Sequence, residues 1–312
     1  MRWLLRDPDV EVHGETLHQF LDVISAYIFG YDDSPCVGKL DDALESQLLC
    51  AKIQFERELL DHWLPVVAEP DIASQGEAAS YIRHLALDNP ARSHRLFDFI
   101  ESEATVDALR IFLRTEAMRN EVVDDEVALC VAGLQGPMKL AIVSNLWDEC
   151  GRGRLDNFHT YWLRRLLDVT DDWQGLRRYR TQERPWFAQI TTNVFNVFLS
   201  RPGLRLCGYG WFAMNESWVA PHFEKIVRGL TRTGLYNSEV GVYFDAHIRI
   251  DPVHTSELLG ALEVQEAQLS KQQVRAILRG AHAALAATCA QYDRMHRYLQ
   301  GISAGGARRG AA

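Results

Sequence analysis

Residues 247–254 read His-Ile-Arg-Ile-Asp-Pro-Val-His and place two imidazoles, those of His247 and His254, on either side of the Asp251 carboxylate. On an α-helix each residue advances by about 100°, so positions i, i+4 and i+7 fall within a wedge of roughly 60°. The three side chains then point toward one place, as metal ligands do. Pro252 removes one helical N–H, and we therefore expect this helix to kink or fray near Asp251.

The rest of the chain is dominated by apolar residues at three- and four-residue spacing, which predicts helices. The predicted helices lie at residues 15–29, 40–62, 72–87, 92–102, 104–133, 138–150, 157–168, 185–200, 208–230, 237–250 and 252–302, the last of them interrupted. Strand propensity is weak throughout. We predict an all-α fold in which an N-terminal helical extension, residues 1–100, packs on a core formed by residues 101–302. Residues 303–312 are predicted to be a disordered tail.

Composition restricts the class of partner. The chain has 312 residues and a formal charge of -9, which argues against nucleic acid or an anionic membrane as a partner. No apolar run approaches the length of about 20 residues that a membrane helix needs, and the N-terminus lacks the apolar core of a signal peptide. The six cysteines include no CxxC pair, as expected of reduced thiols. The sequence therefore predicts a soluble, cytoplasmic protein.

Glu116 is the first upstream candidate for a metal ligand. It occupies the apolar stripe of its predicted helix, four residues after Phe112. A carboxylate is costly to bury there unless a cation, a metal or a hydrogen-bond network compensates it. An exposed glutamate at the edge of the stripe is the other interpretation, and Glu121 is a rival ligand nearby. Both alternatives stay open at this point.

Glu149 and His159 lie in the segment 145–159, Asn-Leu-Trp-Asp-Glu-Cys-Gly-Arg-Gly-Arg-Leu-Asp-Asn-Phe-His, among apolar neighbours. An unbroken helix would place them about 80° apart. A bend at Gly151 and Gly153 would bring them together, because glycine lets the backbone leave helical geometry. The other interpretation is a helix N-cap followed by a histidine that packs in the core.

Glu216 lies in a third segment, within the apolar residues 211–220, where a carboxylate again needs a partner. His222 and Glu224 are alternative ligands close by. A glutamate that caps the start of a helix before Pro221 is the interpretation without a metal.

The candidate ligands together comprise three histidines, three glutamates and one aspartate: Glu116, Glu149, His159, Glu216, His247, Asp251 and His254. Such a mixture suits iron or manganese, because carboxylates bind hard cations and imidazoles complete the coordination. The sequence contains no HExxH or CxxC motif, so it does not indicate a single zinc site. The EExxH motif of ferritin-like bundles is also absent from the sequence.

In this order the seven residues resemble the ligands of the haem-oxygenase-like di-iron oxidases and oxygenases. The most similar parts are the block Asn-Leu-Trp-Asp-Glu-Cys-Gly-Arg-Gly, with a histidine ten residues after its glutamate, and the closing HxxxDxxH. The resemblance covers roughly residues 104–265. It implies a haem-oxygenase-like helical bundle around two non-haem irons that activate O2, with an external electron donor and a homodimeric assembly. It also implies that one iron is held by Glu116, His159 and Glu216, and that the other is served or bridged by Glu149, His247, Asp251 and His254.

Members of this family oxidise amines to hydroxylamines or nitro groups, fragment amino acids oxidatively, or decarboxylate fatty acids to alkenes. The carboxylate-rich set is most similar to the N-oxygenating branch. The resemblance therefore implies a non-haem di-iron monooxygenase of natural-product biosynthesis that acts on a small-molecule amine, such as the amine of lysine. The same site performing oxidative C–C cleavage or desaturation of an amino acid or fatty acid is one alternative. A helical binding protein without redox chemistry is another. Five aromatic residues are candidates for the pocket lining, with packing favoured as the role of most of them: Trp147, Tyr209, Trp211, Phe212 and Phe244.

Overall fold

The computed structural model describes residues 8–30, 40–65, 70–170 and 173–309. In this part of the chain all regular structure is helical, which confirms the all-α prediction. The α-helices are α1 (Pro8–Ile28), α2 (Asp42–Glu58), α3 (Gln75–Leu87), α4 (Arg95–Ser102), α5 (Val106–Asn120), α6 (Val123–Val131), α7 (Gly136–Glu149), α8 (His159–Thr170), α9 (Trp173–Arg178), α10 (Ile190–Ser200), α11 (Arg205–Arg232), α12 (Ser238–Glu263) and α13 (Lys271–Arg309). Short 3₁₀ turns follow α7 at Gly151–Gly153 and Leu155–Asn157.

Helix α11 is the central element, since it packs against α4, α12 and α13. Its buried side chains include Trp211, Met214 and Trp218, each no more than 1% exposed. Residues of α11 belong to both large apolar clusters of the molecule. A polar side chain on the inward face of α11 is therefore surrounded by apolar neighbours, and Glu216 is such a residue.

Two glycines let α11 and α13 cross at backbone contact. A Cβ atom on Gly210 would lie 1.9 Å from the carbonyl oxygen of Ile277, and one on Gly280 would lie 1.9 Å from that of Cys207. Neither neighbour can move aside, because both contact atoms belong to helical backbones. This crossing fixes α11, and with it Glu216, against the longest helix of the molecule.

The described residues before α3 contact helices that come much later in the chain. Leu21 and Ile24 of α1 belong to the same apolar cluster as Trp211 of α11. The Arg294 guanidinium of α13 lies over the Trp63 ring, with its carbon 5.6 Å from the ring centroid. Helix α1 thus packs against α10, and Trp63 packs against α13.

The helix boundaries differ from the prediction in several places, and three of these differences concern the site or the C-terminal end. The single helix expected over 104–133 is two helices, α5 and α6, which are separated at residues 121–122. Helix α12 continues through Pro252, so the predicted fraying is wrong. Pro252 and Val253 lie on the exposed side of α12, while Asp251 and His254 are buried against the bundle, so packing holds the helix together on both sides of the proline.

The C-terminal tail is the third difference. Helix α13 continues to Arg309, so residues 303–309 are helical rather than disordered. The hydroxyl of Ser303 accepts a hydrogen bond from the backbone N–H of Thr105 at 3.2 Å, which ties this end of α13 to the start of α5. Residues 310–312 lie outside the described residues, as does Cys36. Among the described residues, Cys50, Cys130, Cys150 and Cys289 are free thiols. None of the described helices combines the length and the apolar character that crossing a bilayer requires.

The glycine crossing generates a test of stability. Gly210→Ala should lower the free energy of unfolding by about 1–3 kcal/mol, because the added methyl group collides with helical backbone. Gly301→Ala is the matched control in α13, where a Cβ meets nothing within 4 Å. That change should be neutral or stabilise the protein by up to about 1 kcal/mol, through helix propensity. Urea denaturation measures both; equal effects of the two changes would contradict the close crossing.

Candidate metal centre

Six of the seven predicted ligands meet in two groups between α7, α8, α11 and α12. We call Glu149, His159 and His247 the first group, and Glu216, Asp251 and His254 the second group. Within each group, one ligand atom per residue lies within 4.8 Å of the others. Each group therefore presents three nitrogen or oxygen atoms around one position that a metal ion can occupy.

The first group depends on the bend that follows α7. Glu149 is the last residue of α7, and His159 is the first residue of α8. Between them the backbone turns through positive φ at Gly151 (60°) and Gly153 (79°). A Cβ atom on Gly151 would lie 2.5 Å from the carbonyl carbon of Asn157, so only glycine lets the two ends of the bend come this close. The bend expected at the two glycines is present.

Orientation within the first group suits a shared cation. Nδ1 of His159 lies 2.9 Å from Oε2 of Glu149. Both atoms are nevertheless buried without a hydrogen-bond partner, because their directions do not align with each other. Two buried polar atoms that converge without bonding carry a desolvation cost that a metal ion between them would remove.

His247 completes the first group as a neutral ligand. Its Nδ1 donates a hydrogen bond to the carbonyl oxygen of Tyr243 at 2.6 Å, which leaves the Nε2 lone pair for a metal. Burial, helped by the neighbouring His159, lowers the pKa of His247 to about 4. Burial raises the pKa of Glu149, but the nearby imidazoles more than offset this and hold it below its usual value. At neutral pH the first group thus offers a carboxylate and an uncharged imidazole without losing a proton.

The second group concentrates acidic side chains around one imidazole. Nδ1 of His254 lies 3.5 Å from Oε2 of Glu216 and 4.0 Å from Oδ1 of Asp251. This nitrogen is also buried without a hydrogen-bond partner. Burial raises the pKa values of Glu216 and Asp251, and Asp251 is raised further by the negative charge of Glu216. Two carboxylates buried side by side favour a bound cation.

The two groups correct two expectations from the sequence. His247, Asp251 and His254 do not converge on one point, because four residues of helix advance about 6 Å along the axis. His247 therefore belongs to the first group, and Asp251 and His254 belong to the second. The division implied by the resemblance is also different, since it separated His159 from Glu149 and joined it to Glu216.

Glu116 lies outside both groups but faces the same interior space. It lines a cavity of about 100 Å³ together with Glu149, Glu216 and His247. Burial raises the pKa of Glu116 to about 7, although the Arg119 guanidinium lowers it in part. Its rival Glu121 instead pairs with Arg180 at 2.6 Å on the partly exposed side of the molecule.

The alternatives to Glu216 are engaged elsewhere. His222 lines the cavity, but its Nε2 lies 2.9 Å from the carbonyl oxygen of Ala91, to which it donates a hydrogen bond. Burial lowers the pKa of His222 to about 3, so it is a neutral packing residue. Glu224 is exposed, 3.9 Å from Arg228. Glu216 is the acidic residue of this segment that faces the other ligands.

Two of the five candidate aromatic residues line the cavity, and the other three lie elsewhere, as the preference for packing predicted for most of them. Trp211 and Phe212 line the cavity. Trp147 is 55% exposed, Tyr209 donates its hydroxyl hydrogen to the carbonyl oxygen of Leu258, and Phe244 packs in an apolar cluster.

Sequence reasoning missed two kinds of functional candidate. The first is the polar side of the cavity, which includes Arg119, Asn120 and Asn215. The second is Asp148, whose Oδ2 accepts a hydrogen bond from Nε2 of His254 at 3.2 Å. The sequence did contain a sign of this polar side: Arg119 follows Glu116 by three residues, and residues at that spacing share a helix face. Nothing in the sequence links Asp148 to a residue 106 positions later.

The donor set fits iron or manganese. Each group mixes carboxylate oxygen and imidazole nitrogen without a thiolate, which is the ligand chemistry that these cations take in proteins. Comparison with known proteins agrees with this chemistry. The family model described as iron-containing redox enzyme matches residues 110–288, more than half of the chain. This range contains all seven predicted ligands. No curated protein matches the chain.

The grouping predicts the effect of removing single ligands. His159→Ala and His254→Ala should each lower the tightly bound Fe(II) from about two ions per chain to about one, because each change leaves the other group intact. The double variant should bind none tightly. His62→Ala, which alters an exposed histidine, is the control. Anaerobic dialysis followed by metal analysis measures the content; unchanged stoichiometry in both single variants would contradict the assignment.

The two groups also predict different pH dependence. Burial lowers the pKa of His254, but the carboxylates of Glu216 and Asp148 raise it more, to about 9. Below about pH 9 the His254 imidazole therefore carries a proton on both nitrogens, and a metal that binds Nδ1 must displace one of them. The affinity of the second group for its ion should therefore rise with pH up to about 9 and fall in acid. Since His247 is already neutral, it loses no proton when an ion binds to the first group, and binding there should depend less on pH around 7.

Proton release in weakly buffered solution measures this difference directly. At pH 7 the ion that binds to the second group should release about one proton per chain more than the ion that binds to the first group. Equal release with both equivalents would contradict the contrast between the groups.

Proposed function

The chain belongs to the family of iron-containing redox enzymes and is therefore an oxidoreductase, and from this premise we propose that it is a non-haem di-iron oxygenase that transfers oxygen to the amine nitrogen of an amino acid. The observation that carries the proposal is the pair of three-ligand groups beside one cavity. We assign one iron ion to each group. Glu116 is retained as the seventh ligand, because its carboxylate faces the cavity and its cationic neighbour, Arg119, is already paired with Glu126 at 2.6 Å.

Two irons bound in this way would supply the activation of O2. In the overall reaction one oxygen atom is added to the substrate nitrogen to give N–OH, and the other is reduced to water with two electrons from an external donor and two protons. The protein residues hold the ions, exclude bulk water and orient the amine. His247 supports this role because its hydrogen bond to the Tyr243 carbonyl fixes the ring and its tautomer.

The remaining cavity wall supports a small amphipathic substrate. Aromatic side chains such as Phe112, Phe195 and Phe223 form apolar surface that suits a methylene chain. Arg119 lines the same cavity and uses Nη1 for its ion pair with Glu126. We assign the remaining N–H groups of Arg119 to the carboxylate of the substrate, since guanidinium matches that group. Lysine, whose side-chain amine lies a methylene chain away from its carboxylate, is the first candidate.

The reaction is tested by loading the protein with Fe(II) without oxygen, then adding O2, a reductant and lysine. The expected product keeps its carbon skeleton and carries a new N–O bond, as a hydroxylamine or a nitro group, detected by mass spectrometry. The diamine formed by removing the carboxylate from lysine is the matched control. It should react more slowly, because it lacks the group assigned to Arg119.

Other outcomes identify the alternatives. A shortened carbon chain would contradict N-oxygenation and indicate oxidative C–C cleavage at the same centre, and a new C=C bond would indicate desaturation. Failure to bind iron would contradict the whole proposal and favour a binding protein without redox chemistry.

A further inference from the structure

The end of α7 is held to the loop that follows it by two side chains. Trp147 packs against Gly153, where a Cβ would lie 2.9 Å from the indole ring. Asp148 accepts hydrogen bonds from Nε of Arg152 at 2.5 Å and from one of its terminal nitrogens at 3.3 Å. The Arg152 side chain therefore extends back toward α7 and pairs with the carboxylate of Asp148, the residue next to the candidate ligand Glu149.

Arg152 makes this contact from an unfavourable backbone conformation. Its φ is 53° and its ψ is 40°, and in the described residues no other side-chain-bearing residue has a positive φ. The left-handed region brings Cβ close to the following carbonyl, so glycine is preferred there, as at Gly151 and Gly153. An arginine between two glycines is thus held against its backbone preference. Such strain at a candidate site points to a role for the side chain.

The other contact of Asp148 shows what that role is. Its Oδ2 accepts a hydrogen bond from Nε2 of His254 at 3.2 Å, while Nδ1 of the same ring faces Glu216 and Asp251. A carboxylate on one imidazole nitrogen fixes the tautomer and the direction of the other, which is the nitrogen that binds metal. Arg152, Asp148 and His254 therefore form a chain of contacts that ends at the second group.

A simple surface ion pair does not account for this arrangement. The Arg152 side chain is 72% exposed, and an exposed pair of this kind adds little to stability. The strained backbone of Arg152 works against even that small gain. The Asp148 side chain is only 15% exposed and contacts both Arg152 and His254. Its orientation therefore affects the buried imidazole of His254 as well as the exposed ion pair.

We propose that Asp148 and Arg152 are positioning residues that set the metal affinity of the second group and leave the first group unchanged. The inference rests on the proposed metal centre. Asp148 holds the His254 ring so that Nδ1 faces the second position, and Arg152 holds Asp148. Asp148 lies beside Glu149 on α7, so the same turn of helix supports both groups. Only the second group depends on the contacts of Asp148 with Arg152 and His254.

Anaerobic titration with Co(II), followed by visible absorption and by equilibrium dialysis, tests the proposal on the full chain. Asp148→Asn should weaken the second equivalent by about 10–100-fold, the range for partners of metal-bound histidine, and should leave the first unchanged. Arg152→Gly should weaken the second equivalent by roughly 10-fold. Arg152→Lys should recover part of this loss through its remaining positive charge. Arg154→Ala, an exposed arginine two residues away, is the control and should bind as the original chain does.

Arg152→Gly separates positioning from folding. Glycine accepts this backbone conformation, so the metal-free variant should melt at or above the temperature of the original chain while binding the second ion more weakly. Normal binding of both ions by Arg152→Gly would overturn the proposal, as would equal weakening of both ions in Asp148→Asn. If the unaltered chain binds no metal, the proposed function fails first, and that result is seen before any variant is made.

Discussion

The burial of three carboxylates and three imidazoles between four helices is the constraint on which the rest of the structure depends. Each of these groups alone would be costly to remove from water. Glu149, His159 and His254 carry buried polar atoms that converge on their neighbours without forming hydrogen bonds. Glu216 and Asp251 crowd negative charge into one place. Bound cations would offset all of these costs at once, and the match to the family of iron-containing redox enzymes agrees with this donor set.

The helical framework serves to hold these groups in place. Helix α11 is pressed against α13 at Gly210 and Gly280, so Glu216 projects from a fixed surface. Helix α12 runs unbroken past Pro252 and spaces His247 and His254 along its length. The turn after α7 brings His159, the first residue of α8, next to Glu149 and so completes the first group. The two groups thus come from separate segments of sequence, and their separation follows from the rise of one helix.

The sequence predicted the fold class, and the six residues of the two groups were among its candidate ligands. Acidic residues within apolar stripes, such as Glu149 and Glu216, were informative because burial demands a partner. The bend that joins Glu149 to His159 was also readable, since the two glycines are local features. What could not be read was the pairing across helices. The sequence does not give the direction of an Asp148 oxygen toward His254 or the sharing of a cavity by Glu116 and Arg119, because both depend on how helices far apart in the chain pack.

Proline and glycine were misleading where tertiary contacts dominate. Pro252 predicted a break, yet its ring lies on the exposed side of a helix whose buried residues hold it together. The glycine-containing segment from 303 predicted disorder, yet Ser303 anchors it to Thr105. Local preferences at such positions amount to a few kcal/mol at most, which packing on both sides can offset.

The central claim is that two irons occupy the two groups. Crystals of the protein loaded anaerobically with Fe(II), measured at the iron absorption edge, test it most directly. The account predicts two anomalous peaks per chain, one among Glu149, His159 and His247 and the other among Glu216, Asp251 and His254. A single peak, or iron bound to other residues, would contradict it.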